Sequence, residues 1–291
     1  MTAQLLINTL ASASAYALMG VSFATIFFTV RFFHFAHGAV FAIGAYLLVQ
    51  FSGLGVPVPL AFLPAVLGAA AVGWLMWVGV YRPLRNRAAS PLQPLLASLG
   101  LYVVLENLVA IVWGDAARFI ATDSWNRVWR ISGGSLTLVQ MVQLAVSAMA
   151  ILAVAVFLKR TRFGLGLRAV AVDYELAGVS GVRAGRTVTG AFLLGSAMAG
   201  LAGGLVALDT GATPTMGMRA LMMGLVVMVV GGGRNILGIA LGALLLAASQ
   251  NAGALVVGGM WQEAIALGVL FVFLLVRPHG FLGRRTALET T

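Results

Sequence analysis

The sequence predicts an all-α, polytopic transmembrane helical bundle of about eight or nine spans, some of them broken or short. Three observations carry that prediction. Only 9% of the residues are charged and 61% are hydrophobic, where a soluble domain carries about 25% charged residues. Apolar runs of roughly 17–23 residues follow one another, long enough to cross a hydrocarbon core about 30 Å thick. The 36 glycines suit helices that must approach closely in lipid. A β-barrel would instead show alternating segments of about ten residues.

The expected spans cover 5–29, 36–52, 58–80, 93–113, 138–158, 188–208, 218–232, 236–251 and 260–276. The seventh and eighth are short, as half-helices or as one span bent around Gly231-Gly232-Gly233. The whole chain, 1–291, reads as one transmembrane domain with two long connections, at 114–137 and 159–187. The Met1–Gln4 start lacks the basic region of a cleaved leader, so none is expected.

The net charge of +10 is explained by topology. Arg31, Arg82, Arg85, Arg87, Arg234, Arg277, Arg284 and Arg285 join the six basic residues of the 159–187 connection on one side. Arg118, Arg127, Arg130 and Arg219 fall on the other. The positive-inside rule then puts 159–187 and the C-terminus in the cytoplasm. The 114–137 connection becomes external, with Trp125 and Trp129 as interface anchors in an interfacial helix or a partner contact.

Several chemistries are excluded. The chain has no cysteine, hence no disulfide and no thiolate. Gly231-Gly232-Gly233-Arg234-Asn235 lacks the Lys-Ser/Thr of a phosphate-binding loop, so the chain should not bind ATP itself. His34 and His37, three apart on one helix face, are too few for a zinc site. No nucleophile–base elbow is present, and the basic charge does not indicate nucleic acid.

Four groups of residues stand out. The stretch RFFHFAHGAVFAIGAY, from Arg31 to Tyr46, places His37 and Gly38 where one helix ends and the next begins. His37 is expected to bond freed backbone carbonyls there, with a place on a transport path as the alternative. Glu106 and Asn107 fall within a span, where an ionisable side chain is costly and a candidate for the path. Gly195, Ala199, Gly203 and Ala207 form one small-residue stripe; Ser196, Gly200 and Gly204 form a second. Both favour close packing, inside the subunit or against another. Finally, Asp173 is placed to cap a short helix with Glu175 in its first turn and Gly181 at its end. Leu176, Val179 and Arg183 share one side of it and Gly178 keeps the surface thin. Such a helix suits docking in a groove of another protein or lying on the membrane surface.

Here the residues resemble a known family. ABC importer permeases carry a cytoplasmic Glu-Ala-Ala, three residues, Gly pattern, followed nine residues later by an apolar cluster. Glu175-Leu176-Ala177, Gly181 and Ala191-Phe192-Leu193-Leu194 follow that spacing, with Leu176 for the middle alanine and Leu194 for the final proline. Thr161-Arg162-Phe163-Gly164, Leu167-Arg168-Ala169 and Gly181-Val182 look like the permeases of branched-chain amino acid ABC transporters. So do Asn8, Ala15-Tyr16-Ala17-Leu18, Gly20, Phe35-Ala36-His37-Gly38, Gly44-Ala45-Tyr46 and the run Gly231 to Gly238. His34 stands where the family has asparagine, and Glu106 where it often has glutamine.

The resemblance implies a non-enzymatic transport subunit of a bacterial inner-membrane importer. Its partners would be a second, homologous permease in a heterodimer, two cytoplasmic ATPases and an external binding protein. No cofactor would bind this chain; ATP and Mg would be held by the ATPases, which would dock on Glu175, Leu176, Ala177, Gly178 and Gly181. Urea or short amides, carried by the same family fold, are the alternative substrates. A self-sufficient secondary transporter is the alternative mechanism, with Glu106 as its coupling residue.

Overall fold

The computed structural model describes residues 2–87, 89–120, 127–131, 133–233, 235–277 and 279–282. Among them, eight helices are long and apolar enough to span a membrane, and a shorter apolar helix covers Met216–Gly231. The order is α1 (Thr2–Val30), α2 (Ala36–Gly53), α3 (Val58–Met76), a π-helical turn (Trp77–Tyr81), α4 (Arg82–Asn86) and α5 (Leu92–Trp113). Strands β1 (Val128–Ile131) and β2 (Gly134–Thr137) precede α6 (Leu138–Arg160), α7 (Arg162–Val172), α8 (Tyr174–Val179) and α9 (Ala184–Thr210). Then come α10 (Met216–Gly231), α11 (Ile236–Val257), a 3-10 turn (Gly259–Trp261) and α12 (Gln262–Val276).

Local chemistry sets these boundaries. Pro57 and Pro59 open α3, where a missing N–H costs nothing. Pro83 cannot donate to Gly79 and its ring crowds that carbonyl. The helix widens just before it, and the Arg82 N–H reaches back to Trp77 O. Gly114 ends α5 and Gly211 ends α9, with φ of 85° and 80°, the left-handed turn that glycine adopts without a Cβ clash.

The chain divides into two compact units, residues 1–21, 122–151 and 222–291 in one, and 22–121 with 152–221 in the other. In the second unit α2, α3 and α9 form the core, built around the fully buried Tyr46, Trp77, Tyr81 and Phe192. The two predicted small-residue stripes of α9 lie inside it. A Cβ on Gly203 would collide with the carbonyl of Phe41, and one on Gly195 would sit 2.7 Å from Ile26. Gly200 faces Gly44 on one side and Ala69 on another, and Ala199 is wholly buried. The stripes therefore pack within the subunit. By contrast Ile111 of α5 is 78% exposed, an apolar surface suited to lipid.

In the first unit, α10 and α11 form an antiparallel hairpin. Gly231 abuts Gly238, while Gly242 lies against Val227 and Gly231. This corrects the single bent span considered from the sequence, and α11, at 22 residues, is full length. Asn235 caps it, its Oδ1 accepting from Leu237 N at 3.0 Å. The 114–137 connection, expected as an interfacial helix or a partner contact, is not helical at its described end. That end is a β-hairpin pairing Val128 with Thr137 and Ile131 with Gly134. Gln4 of α1 holds it, accepting from the Ser135 N–H at 2.7 Å. Trp129 lies on β1, 41% exposed; Trp125 is outside the described residues.

Candidate functional site

The break predicted around His37 is present between α1 and α2. Arg31, the one non-glycine with positive φ (58°) among the described residues, closes α1 by donating its N–H to Phe27 O at 2.7 Å. His34 and His37 are both wholly buried, their rings 5.7 Å apart. His34 lies in the connection, not on a helix, and its Nδ1 is 3.0 Å from the Tyr81 hydroxyl. Burial first, then the neighbouring His37, holds its pKa well below the ordinary histidine value, so the ring is neutral.

His37 does not bond backbone carbonyls as expected. Its Nε2 is 2.6 Å from Ser22 Oγ, whose proton goes to Gly195 O at 2.7 Å. With that proton committed, the imidazole must donate from Nε2. Its Nδ1 has no partner, nor has Nε2 of His34. The freed backbone is served instead by Ser98 of α5. Its hydroxyl accepts from Phe35 N at 3.2 Å and lies 3.1 Å from Phe33 O. Ser98 gave no sequence signal beyond being a lone hydroxyl among leucines. Gly38 meets Gly217 backbone to backbone, a Cβ there standing 2.7 Å from Gly217 O. Trp77, Tyr81 and His34 surround Phe192, with ring centroids 5.2, 5.6 and 5.4 Å from it.

The capped helix also forms where the sequence placed it. Asp173 Oδ1 accepts from the N–H groups of Glu175 and Leu176, both at 2.9 Å. Gly181 follows the helix with φ 84°. Ala177 is buried, whereas Leu176 is 61% and Val179 84% exposed. Gly178 faces open space. Arg183 is not on this face; it immediately precedes α9. Helix α7, which Thr161 caps by accepting from Gly164 N at 3.2 Å, was not anticipated from the residue pattern.

Glu106 and Asn107 are not gathered with His37. Glu106 is half-buried and accepts from Tyr102 of its own helix at 2.8 Å; Asn107 is exposed and donates to Val103 O at 2.8 Å. Eight residues separate Glu106 from Ser98, about 12 Å of helix. Among the described residues no group of three His, Asp or Glu is placed to hold a metal ion.

Comparison with known proteins decides the family. The profile described as "Branched-chain amino acid transport system / permease component" matches residues 5–275. The chain belongs to this permease family. The permease is 29% identical to the high-affinity branched-chain amino acid transport system permease protein LivH of Salmonella typhimurium, with 97% of this chain and 95% of that protein covered. It is 30% identical, over the same shares, to the permease protein BraD of Pseudomonas aeruginosa. A probable branched-chain amino acid permease of Methanocaldococcus jannaschii is 25% identical over 91% of the permease and 88% of its own length. In fold it is similar to a solved structure, PsaBC from Streptococcus pneumoniae in complex with Fab. There the TM-score is 0.54 at 12% identity, covering 94% of the permease and 92% of that chain.

Proposed function

We propose that this multi-pass permease is the membrane-spanning subunit of an ATP-driven importer for branched-chain amino acids. A second, homologous permease, two cytoplasmic ATPases and an external binding protein complete the assembly. The observation that carries the reading is α8: a capped helix outside the spans, with Leu176 and Val179 turned to solvent. Exposed apolar side chains on an ordered polar connection call for a partner groove. The loop side is cytoplasmic, because its flanks hold Lys159, Arg160, Arg162, Arg168, Arg183 and Arg186.

This chain contributes no chemistry to the cycle. ATP and Mg act in the ATPases, whose closure displaces α8. The displacement favours one of two arrangements of the spans, and substrate from the binding protein crosses between the two permeases. Leucine, isoleucine and valine suit a path lined mainly by apolar groups.

The test is uptake of labelled leucine into liposomes holding the complete importer. Uptake should require ATP and the binding protein, and should be competed by isoleucine and valine. Competition by urea or short amides without competition by valine would replace this substrate with the amide class. Uptake by the permease alone, without ATP, would make it a secondary transporter.

A further inference from the structure

The docking helix is fastened to the spans at two points that the family pattern does not specify. The first is Arg31. Its Nη2 donates to Ala171 O at 2.9 Å and also to Val172 O. These carbonyls end α7, where no helical N–H remains for them and a cation is favoured. Arg31 occupies a left-handed position that glycine would fill with less strain. What arginine adds there is a side chain that reaches the loop. The second point is Arg85, whose guanidinium lies 3.6 Å above the ring of Tyr174, the first residue of α8. Between the two anchors is only Asp173, the extended cap residue joining α7 to α8.

Both anchors lead to the same buried contact. Arg31 is three residues before His34, and Arg85 is one helical turn after Tyr81. His34 and Tyr81 bond to each other at 3.0 Å. The result is a closed circuit: loop, Arg31, His34, Tyr81, Arg85, Tyr174, loop. Tyr81 is the last residue of the π-helical turn Trp77–Tyr81, a wider segment of the kind found at functional sites.

We propose that Arg31 and Arg85 are positioning residues that carry the movement of α8 to the His34–Tyr81 pair at the break between α1 and α2. This rests on the reading above, that ATPases dock on α8. Through the two anchors, a shift of the α7–α8 corner draws on the end of α1 and on α4 together. Ion pairs with solvent on all sides contribute little; these contacts differ in joining backbone carbonyls and a ring of one segment to two separate spans.

The chain has no cysteine, so Phe33→Cys, at a 39% exposed position in the break, takes a fluorophore at one site. The assembled importer is measured for bound ATPase and for the fluorescence change on adding ATP. With the arginines intact, ATP should shift the signal. Arg31→Ala and Arg85→Ala should bind ATPase as before and reduce that shift by about tenfold. Arg85→Lys, keeping a cation over the ring, should retain most of it. Arg31→Lys should do the same, since the single nitrogen Nη2 serves both carbonyls and an ammonium carries three donors. Tyr174→Phe should behave as unaltered, and Arg85→Ala with Tyr174→Ala should be no worse than either alone. An unchanged signal in the alanine variants, no response with the arginines intact, or loss only in proportion to lost ATPase would overturn the coupling. Failure of the unaltered permease to bind any ATPase would show instead that the docking reading itself is wrong.

Discussion

Replacing Asp173 with alanine removes both hydrogen bonds that start α8, each 2.9 Å long. An N-cap is worth about 1 kcal/mol. A helix of six residues has almost no stability of its own, so most of that loss falls on the population of the ordered form. With tenfold for every 1.4 kcal/mol, the ordered fraction and the apparent ATPase affinity fall about fivefold. The assay is titration of the purified ATPase against the permease in lipid nanodiscs. Asparagine caps as well as aspartate without the charge, so Asp173→Asn should bind within about twofold of the unaltered permease. Asp173→Asn as weak as Asp173→Ala would refute the capping argument, because charge would then be what the ATPase reads. Full affinity in Asp173→Ala would refute the claim that α8 must be helical to dock.

Two further predictions concern the scaffold. Gly203→Ala drives a Cβ into the Phe41 carbonyl; overpacking of this kind costs about 1–3 kcal/mol and should lower the thermal midpoint in detergent. Ser98→Ala leaves the part-buried Phe35 N–H without its acceptor, a loss of about 1 kcal/mol. It should also speed hydrogen exchange at Phe35, while an unchanged exchange rate would show that this bond does not hold the break.

Apolar runs and capping residues are local signals, and what they control was legible in the sequence. The spans, the break before His37 and the Asp173 cap with its Gly181 stop all follow from nearest-neighbour chemistry. The hairpin of Val128–Ile131 with Gly134–Thr137 was not legible: strands of four residues each are too short for alternation to stand out from a loop. The π-helical turn needed Pro83 to be read as a disturbance one turn upstream. Partners far apart in sequence were out of reach altogether. Arg31 meets Val172 across 141 positions, and Ser22 meets Gly195 across 173. His37 illustrates the difference: its burial and location were readable, but its partner is a hydroxyl set by the crossing of α1, α2 and α9. Glu106 shows the reverse. Its charge within an apolar span drew attention, yet its hydrogen bond is to Tyr102 on its own helix.

The central claim is that α8 recruits ATPases. The most direct measurement is affinity capture of the tagged permease from its own cells in mild detergent, beside a Val179→Asp variant that charges the most exposed apolar residue of α8 (84%). The account predicts ATPase and a second permease with the unaltered chain, and the second permease alone with the variant. ATPase bound equally by both would contradict it.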